Sequence, residues 1–338
     1  MPDVFPLARN PAGPAPLRRP GSVRRTSSIE TIWPEGFGQP MLMQGRARDL
    51  YTPADGGAPR VLAEDRFTIL ASASREILSI AVSPDRPHAQ DLVGVRAGGA
   101  SRAALNAIMA QERTDGTPLF LLLDDFAGAS LVAGWVWSRW IPDWAARAAA
   151  GMQSDAGRRG PMEGVCAGFA PGSSALGGET GRMKDQNCMP VPSLINPDDP
   201  LGWHELAVQD GVGKRRARRI DVWREGPETG GGLAIDVGFQ DSGTSPEGAD
   251  RVAIHEYRVL AKAAGDPLAL TDLAVTPHIL PFAECPGAVA GATRMLKTPL
   301  ADLRARVLDT LPGTLGCTHL NDVLRSMAEV PQLAARLG

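Results

Sequence analysis

The chain has 338 residues, 43% of them hydrophobic, enough for two domains and a sizeable core. Its net charge is −3, from 35 basic and 38 acidic residues, and that balance removes any global electrostatic case for nucleic acid. Four cysteines, Cys166, Cys188, Cys285 and Cys317, do not make a disulfide framework at this length, so each is read as a thiol.

Residues 1–20 are rich in Pro, Ala and Arg and hold no apolar run of signal-peptide or membrane-span length. The expectation is a disordered tail over 1–22 on a soluble cytoplasmic protein. From Arg24-Arg25 an alternating run passes Ile29, Ile32 and Trp33 to Pro34-Glu35-Gly36. The runs 41–50, 66–71 and 76–84 follow. Each alternates or is rich in β-formers and is bounded by Gly, Pro or Asp, which predicts four antiparallel strands. A helix is expected over 100–111. Gly116-Thr117-Pro118 breaks it, and a longer interrupted helix follows over 119–150, carrying Trp135, Trp137, Trp140 and Trp144; Pro142 must bend or end it. The Gly-, Pro- and Ser-rich stretch 151–210 is too long for a simple connection and reads as a linker or a lid.

The second half repeats this order. Arg215-Arg216 leads through Ile220 and Val222-Trp223 to Arg224-Glu225-Gly226, as Arg24-Arg25 leads to Trp33-Pro34-Glu35-Gly36. Gly238 to Asp241 mirrors Gly45 to Asp49, Tyr257 to Ala261 mirrors Phe67 to Ala71, Ala274 to Pro277 mirrors Ala81 to Pro84, and Leu320-Asn321-Asp322-Val323 mirrors Leu123-Asp124-Asp125-Phe126. The expected architecture is α+β: two pseudo-symmetric ββββαα units with antiparallel sheets, a degenerate copy over 23–150 and a second over 211–338. The basic run Lys214 to Arg219 is expected on a solvated strand edge. His88, His204 and His278 are isolated and read as surface or loop residues.

The copies differ in their chemistry. His255 falls opposite Asp65, Cys285 opposite the Asp91-Leu92 region, Cys317 opposite Phe120 and His319 opposite Leu122, so the candidate site sits on the second copy. Gly316-Cys317-Thr318-His319-Leu320-Asn321-Asp322 follows a break at Pro312-Gly313 and opens a helical pattern. Free N–H groups at a helix start favour a Cys317 thiolate. The structural alternative is a packed cysteine with Thr318 as the cap.

The order Ile254-His255-Glu256-Tyr257, Glu284-Cys285-Pro286, Gly316-Cys317-Thr318-His319-Leu320 resembles the bacterial family known as domain of unknown function 2889. The resemblance covers roughly 215–330, with the first half as a divergent copy, and it implies no activity. A looser likeness, of fold only, is to iron–sulfur scaffold proteins, which place a Cys/His pair at a helix start.

Three uses of these residues stand side by side. His255, Cys317 and His319, with Asp241 and Glu256, can do metal-free acid–base or nucleophilic catalysis. Cys285, Cys317, His319 and His255 can bind a metal, for which zinc is the candidate. The same residues can be purely structural. On a strand, His255 and Glu256 face opposite sides unless a bulge intervenes. Trp135, Trp137 and Trp140, with Arg258, are candidate substrate-binding residues; the Trp stripe serves equally as core or as a homodimer interface. No Walker, Rossmann or nucleophile-elbow motif is present, so no organic cofactor is expected. The reading is a small-molecule lyase, isomerase or hydrolase acting on a hydrophobic aromatic or polycyclic compound in bacterial catabolism, with no nucleic-acid or membrane partner. The alternatives are a protein with a structural Cys/His zinc or iron–sulfur-type site and a non-enzymatic interaction protein.

Overall fold

Alternating and β-branched runs bounded by turn residues form long strands here, and the strands share one sheet. The computed structural model describes residues 2–140, 162–176, 186–226, 231–248 and 250–338. The first half contributes β1 (Ser22–Ile32), β2 (Met41–Thr52), β3 (Arg60–Ala71) and β4 (Ile77–Ser83). These precede α1 (Gly99–Ile108), α2 (Ala110–Asp115), α3 (Pro118–Val132) and α4 (Trp135–Trp140). After the short β5 (Met189–Pro190), the second half contributes β6 (Gly213–Arg224), β7 (Leu233–Thr244), β8 (Arg251–Ala264) and β9 (Ala269–Ile279). Then come α5 (Ala288–Ala292), α6 (Leu303–Thr310), α7 (Thr318–Ser326) and α8 (Val330–Ala334).

The fold is α+β, as the strand-then-helix order predicts. The two expected sheets are one: the order is β4-β3-β2-β1-β6-β7-β8, with β5 and β9 both on β8 and every pairing antiparallel. The junction is β1 on β6, in register from Ser22 opposite Trp223 to Ile32 opposite Gly213. Neither strand is therefore an edge, and both are buried along almost their whole length.

That junction corrects the expectation for Lys214 to Arg219. The run lies in a central strand, and all five of its cations are buried. Arg216 reaches Asp241 (2.9 Å) and Asp322 (3.0 Å), and Arg218 reaches Asp125 (2.9 Å). Arg219 pairs with Asp221 and Asp236, and Arg215 with Glu30. A charge inside a protein survives only when paired and hydrogen-bonded, and here carboxylates from distant segments supply the partners.

Contacts repeat across the junction. Arg25 lies directly opposite Asp49 and bonds it (2.6 and 2.7 Å); Arg216 lies directly opposite Asp241 and bonds it too. The register slips next to each of these two aspartates, at Asp49/Leu50 and at Asp241/Ser242. Between β1 and β6 the pairs are crossed, Arg24 with Asp221 and Arg215 with Glu30.

The N-terminal segment is not a free tail. It runs over the sheet face opposite the helices, with Asn10 N–H donating to His278 O (2.9 Å), Ala15 N–H to Leu194 O (3.0 Å) and Arg18 clamped on Asp199 (2.6 Å). His204 belongs to the same layer and is buried, its ring between Thr26 Oγ1 and Ser28 Oγ at 2.8 Å each. On the other face, the stretch Pro118–Trp140 is apolar because it is core: its most apolar window is 83% buried inside the protein.

Gly128 in α3 is where helix and buried arginine meet. A Cβ there would lie 1.9 Å from Arg216 Nη1 and 2.5 Å from Asp322 Oδ2. Alanine normally favours a helix over glycine by about 1 kcal/mol. Gly128→Ala should instead destabilise the protein by about 1–3 kcal/mol, because it overpacks a fixed ion pair. Urea denaturation checks this, and a stabilised variant would contradict it.

Candidate active site

Asp241 on β7 and His255 on β8 are cross-strand neighbours. Directly beyond them the register slips, leaving Ile254 as the extra residue, and Ile254 and His255 both line the same cavity. Such a bulge re-aims side chains beside a site. The third component comes from the start of α7, where Cys317 is the N-cap and His319 lies in the first turn. Its imidazole stacks on that of His255, with centroids 3.4 Å apart and planes 17° from parallel. His319 Nε2 lies 3.5 Å from Asp241 Oδ2, and Nδ1 lies 3.9 Å from Cys317 Sγ. Lys214 Nζ holds the Asp241 carboxylate at 2.6 Å and Arg216 holds it at 2.9 Å.

Burial works against a charge on Asp241, yet Arg216 and Lys214 keep its carboxyl far below the usual range. Both imidazoles are pushed down, first by burial. His319 falls to about 3, and His255, with His319 beside it, falls well below 6.5. Both are therefore neutral near pH 7. Burial also lowers Lys214, to about 8. Cys317 departs from expectation. The nearby His319 and Leu320 backbone amides and the Tyr257 hydroxyl, 3.5 Å away, favour a thiolate, but burial outweighs them and raises the thiol. The helix start alone does not make a thiolate here.

These groups edge a cavity of about 140 Å³. His255, Cys285, Cys317 and His319 all line it, as does Trp135; Leu131, Val132, Ile254 and Phe282 make much of its apolar wall. Cys166, which the sequence left as one thiol among four, lines it too, its thiol pushed up to about 12 by burial. Lys214 was also missed. The one signal for it was a lysine at the head of a strand whose other cations are all arginines.

Other candidates lie elsewhere. Glu256 faces the opposite side of the sheet, as strand alternation requires, and bonds Gln240 (2.8 Å) and Ala12 N–H (2.9 Å). Arg258 is on that same far side, bonded to Asp236 at 2.8 Å. Trp137 packs edge-on against Trp33 (5.3 Å), and Trp140 joins it in a small cluster around Val252 and Ile254, outside the cavity lining. Neither is a wall residue, because positions two and five residues beyond Trp135 project from a different side of the helix. Trp144 lies outside the described residues.

The span holding most of this machinery is similar to a known family. Residues 214–332 match the model of the protein family of unknown function DUF2889. Lys214, Asp241, His255, Cys285, Cys317 and His319 all fall inside the DUF2889 match, whereas Trp135 and Cys166 come from outside it. No curated protein and no solved structure matches the chain.

Zinc is tested against the donors themselves. Among the described residues, one metal-sized grouping holds Asp241, His255 and His319, and neither Cys285 nor Cys317 is part of it. A metal sits about 2.0 Å from nitrogen, and the lone pair it takes lies in the ring plane. Two face-to-face, nearly parallel rings cannot both aim in-plane lone pairs at one ion. The Asp241 oxygens are already engaged by Lys214 and Arg216. The arrangement does not fit zinc. Purified protein should carry no stoichiometric zinc, and a chelator should leave Tm unchanged; a chelator-induced fall would reinstate the metal.

A neutral buried His319 takes up protons more readily when unfolded, between its unfolded value near 6.5 and its folded value of about 3. The stability tied to that neutrality is complete above pH 6.5 and is lost on acidification toward pH 3. Relative to His319→Gln, the wild type should lose about 2 kcal/mol between pH 7 and pH 5. Paired denaturation curves at the two pH values measure this, and parallel behaviour of the two proteins would show that folding leaves the His319 pKa unshifted.

Proposed function

We propose that this protein is an enzyme that moves a proton on a small apolar substrate, a lyase or isomerase that uses neither metal nor organic cofactor. The observation that carries the reading is His255 Nδ1. It is buried, has no hydrogen-bond partner in the protein, and belongs to a residue at the edge of an apolar cavity. An unpartnered buried nitrogen costs about 1–3 kcal/mol, a cost that a binding site can offset when its ligand arrives. His255 is the base. The stacked His319 ring packs against it, and its neutrality keeps a lone pair available across the physiological range.

Cavity size narrows the substrate. An apolar cavity of about 150 Å³ holds a benzene-sized molecule, so this one suits a single ring and not a polycyclic frame. We also read the halves as two copies of one unit that have divided the labour, the second supplying the imidazoles and the first supplying Leu131, Val132 and Trp135. The Arg25–Asp49 and Arg216–Asp241 pairs, each beside a register slip, support this.

A second reading rests on Cys317 Sγ, which lies at the N-cap of α7, 3.9 Å from His319 Nδ1. It makes the protein a hydrolase with a thiol nucleophile. One assay separates the two. Opening of 1,2-benzisoxazole to 2-cyanophenolate needs only a base in an apolar pocket, which removes the ring C–H proton as the N–O bond breaks. Wild type should accelerate it, His255→Gln should lose about 100-fold or more, and Cys317→Ser should retain it. No acceleration by the wild type would refute the base; loss with Cys317→Ser alone would favour the thiol.

A further inference from the structure

Another residue of the same cavity lining carries an orphaned polar atom. Trp135 is 4% exposed and His255 is 6% exposed. Trp135 Nε1 is buried without a hydrogen-bond partner, as is His255 Nδ1, and both residues line the cavity. The two atoms differ in what they need. An indole N–H can only donate, so its missing partner is an acceptor. A neutral imidazole acting as base presents a lone pair, so its missing partner is a proton. Beyond these two, the lining is hydrocarbon, three thiols that burial keeps protonated, Gln186, Thr318 and the neutral His319 ring, with no lysine, arginine or carboxylate to anchor a charged group.

We infer that the site takes a small ketone of about one ring in size and enolises it, with Trp135 Nε1–H bonded to the carbonyl oxygen and His255 Nδ1 taking the α-proton. This rests on the reading of His255 as base and adds the substrate class to it. In the step, the α C–H bond breaks and its proton goes to Nδ1. Its electron pair forms the C=C bond, and the carbonyl π pair moves to oxygen, where the indole N–H meets the developing negative charge. The Nδ1 proton exchanges with solvent, delivery of the exchanged proton to carbon closes the cycle, and no oxidant is required. A donor fixed where charge develops, in a water-poor pocket, stabilises the transition state more than the ground state. The donor comes from the first half of the chain and the base from the second, so neither half alone can carry out the step.

The test is deuterium uptake at the α-carbons of cyclohexanone in D₂O, followed by NMR, beside benzisoxazole opening on the same preparations. Wild type should catalyse uptake. His255→Gln should lose both reactions. Trp135→Phe, which keeps a ring in the wall, should lose uptake by about 100-fold, the cost of one oxyanion donor, while keeping benzisoxazole opening. Benzisoxazole opening without cyclohexanone uptake in the wild type overturns the ketone class and leaves the base standing. Absence of both overturns the base as well. Equal uptake by Trp135→Phe and wild type removes the indole from its role. If Trp135→Phe does not fold, the wild type decides through inhibition of benzisoxazole opening. Cyclohexanone should then inhibit more tightly than toluene, and equal inhibition by the two would overturn the proposed donor.

Discussion

Two arginines buried at the centre of the sheet, Arg25 and Arg216, are the constraint on which the rest depends. Each is forked onto an aspartate of the next strand and also reaches a carboxylate of the helical layer, Glu329 for Arg25 and Asp322 for Arg216. Removing one partner from such a set leaves a desolvated charge, at a cost of about 3–5 kcal/mol. The fork therefore fixes more than stability. It sets how close α7 and α3 come to the strands, it requires glycine at position 128, and it holds the Asp241 carboxylate in one place.

Asp241 links that constraint to chemistry. Its negative charge is already matched by Lys214 and Arg216, so it orients His319 without drawing a proton onto it. An aspartate with no cation beside it would raise the imidazole's proton affinity, and one left unpaired in the core would not stay ionised. The pairing gives a rigid acceptor beside two neutral rings, an arrangement suited to moving protons inside hydrocarbon walls.

Much of this was legible in the sequence where the information is local. Strand alternation set the α+β class and put His255 and Glu256 on opposite faces. The break before Gly316 located the start of α7 and hence Cys317 and His319. What was not legible depends on pairing across the chain. The Lys214 to Arg219 run reads as surface because its anions, among them Asp322, Asp125 and Glu30, are far away in sequence. Residues 2–20 read as a tail because proline-rich composition says nothing of a sheet face waiting to be covered. Trp137 and Trp140 read as one wall with Trp135 because an aromatic-rich run does not say which side of its helix meets the cavity. Cys166 carries no local signal; a loop alone brings it to the cavity.

The β1–β6 junction bears on ancestry. A chain holding only the second half would present β6 as an open edge, with unpaired N–H and C=O groups and Arg215 lacking its acid. Two such chains could close that edge on each other about a two-fold axis through Arg218. Arg215 of each would then lie opposite Asp221 of the other, just as Arg24 lies opposite Asp221 here. On the proposed duplication, β1 would stand in for a partner subunit, and covalent linkage would have freed one copy to give up its imidazoles and become the wall of the other's pocket.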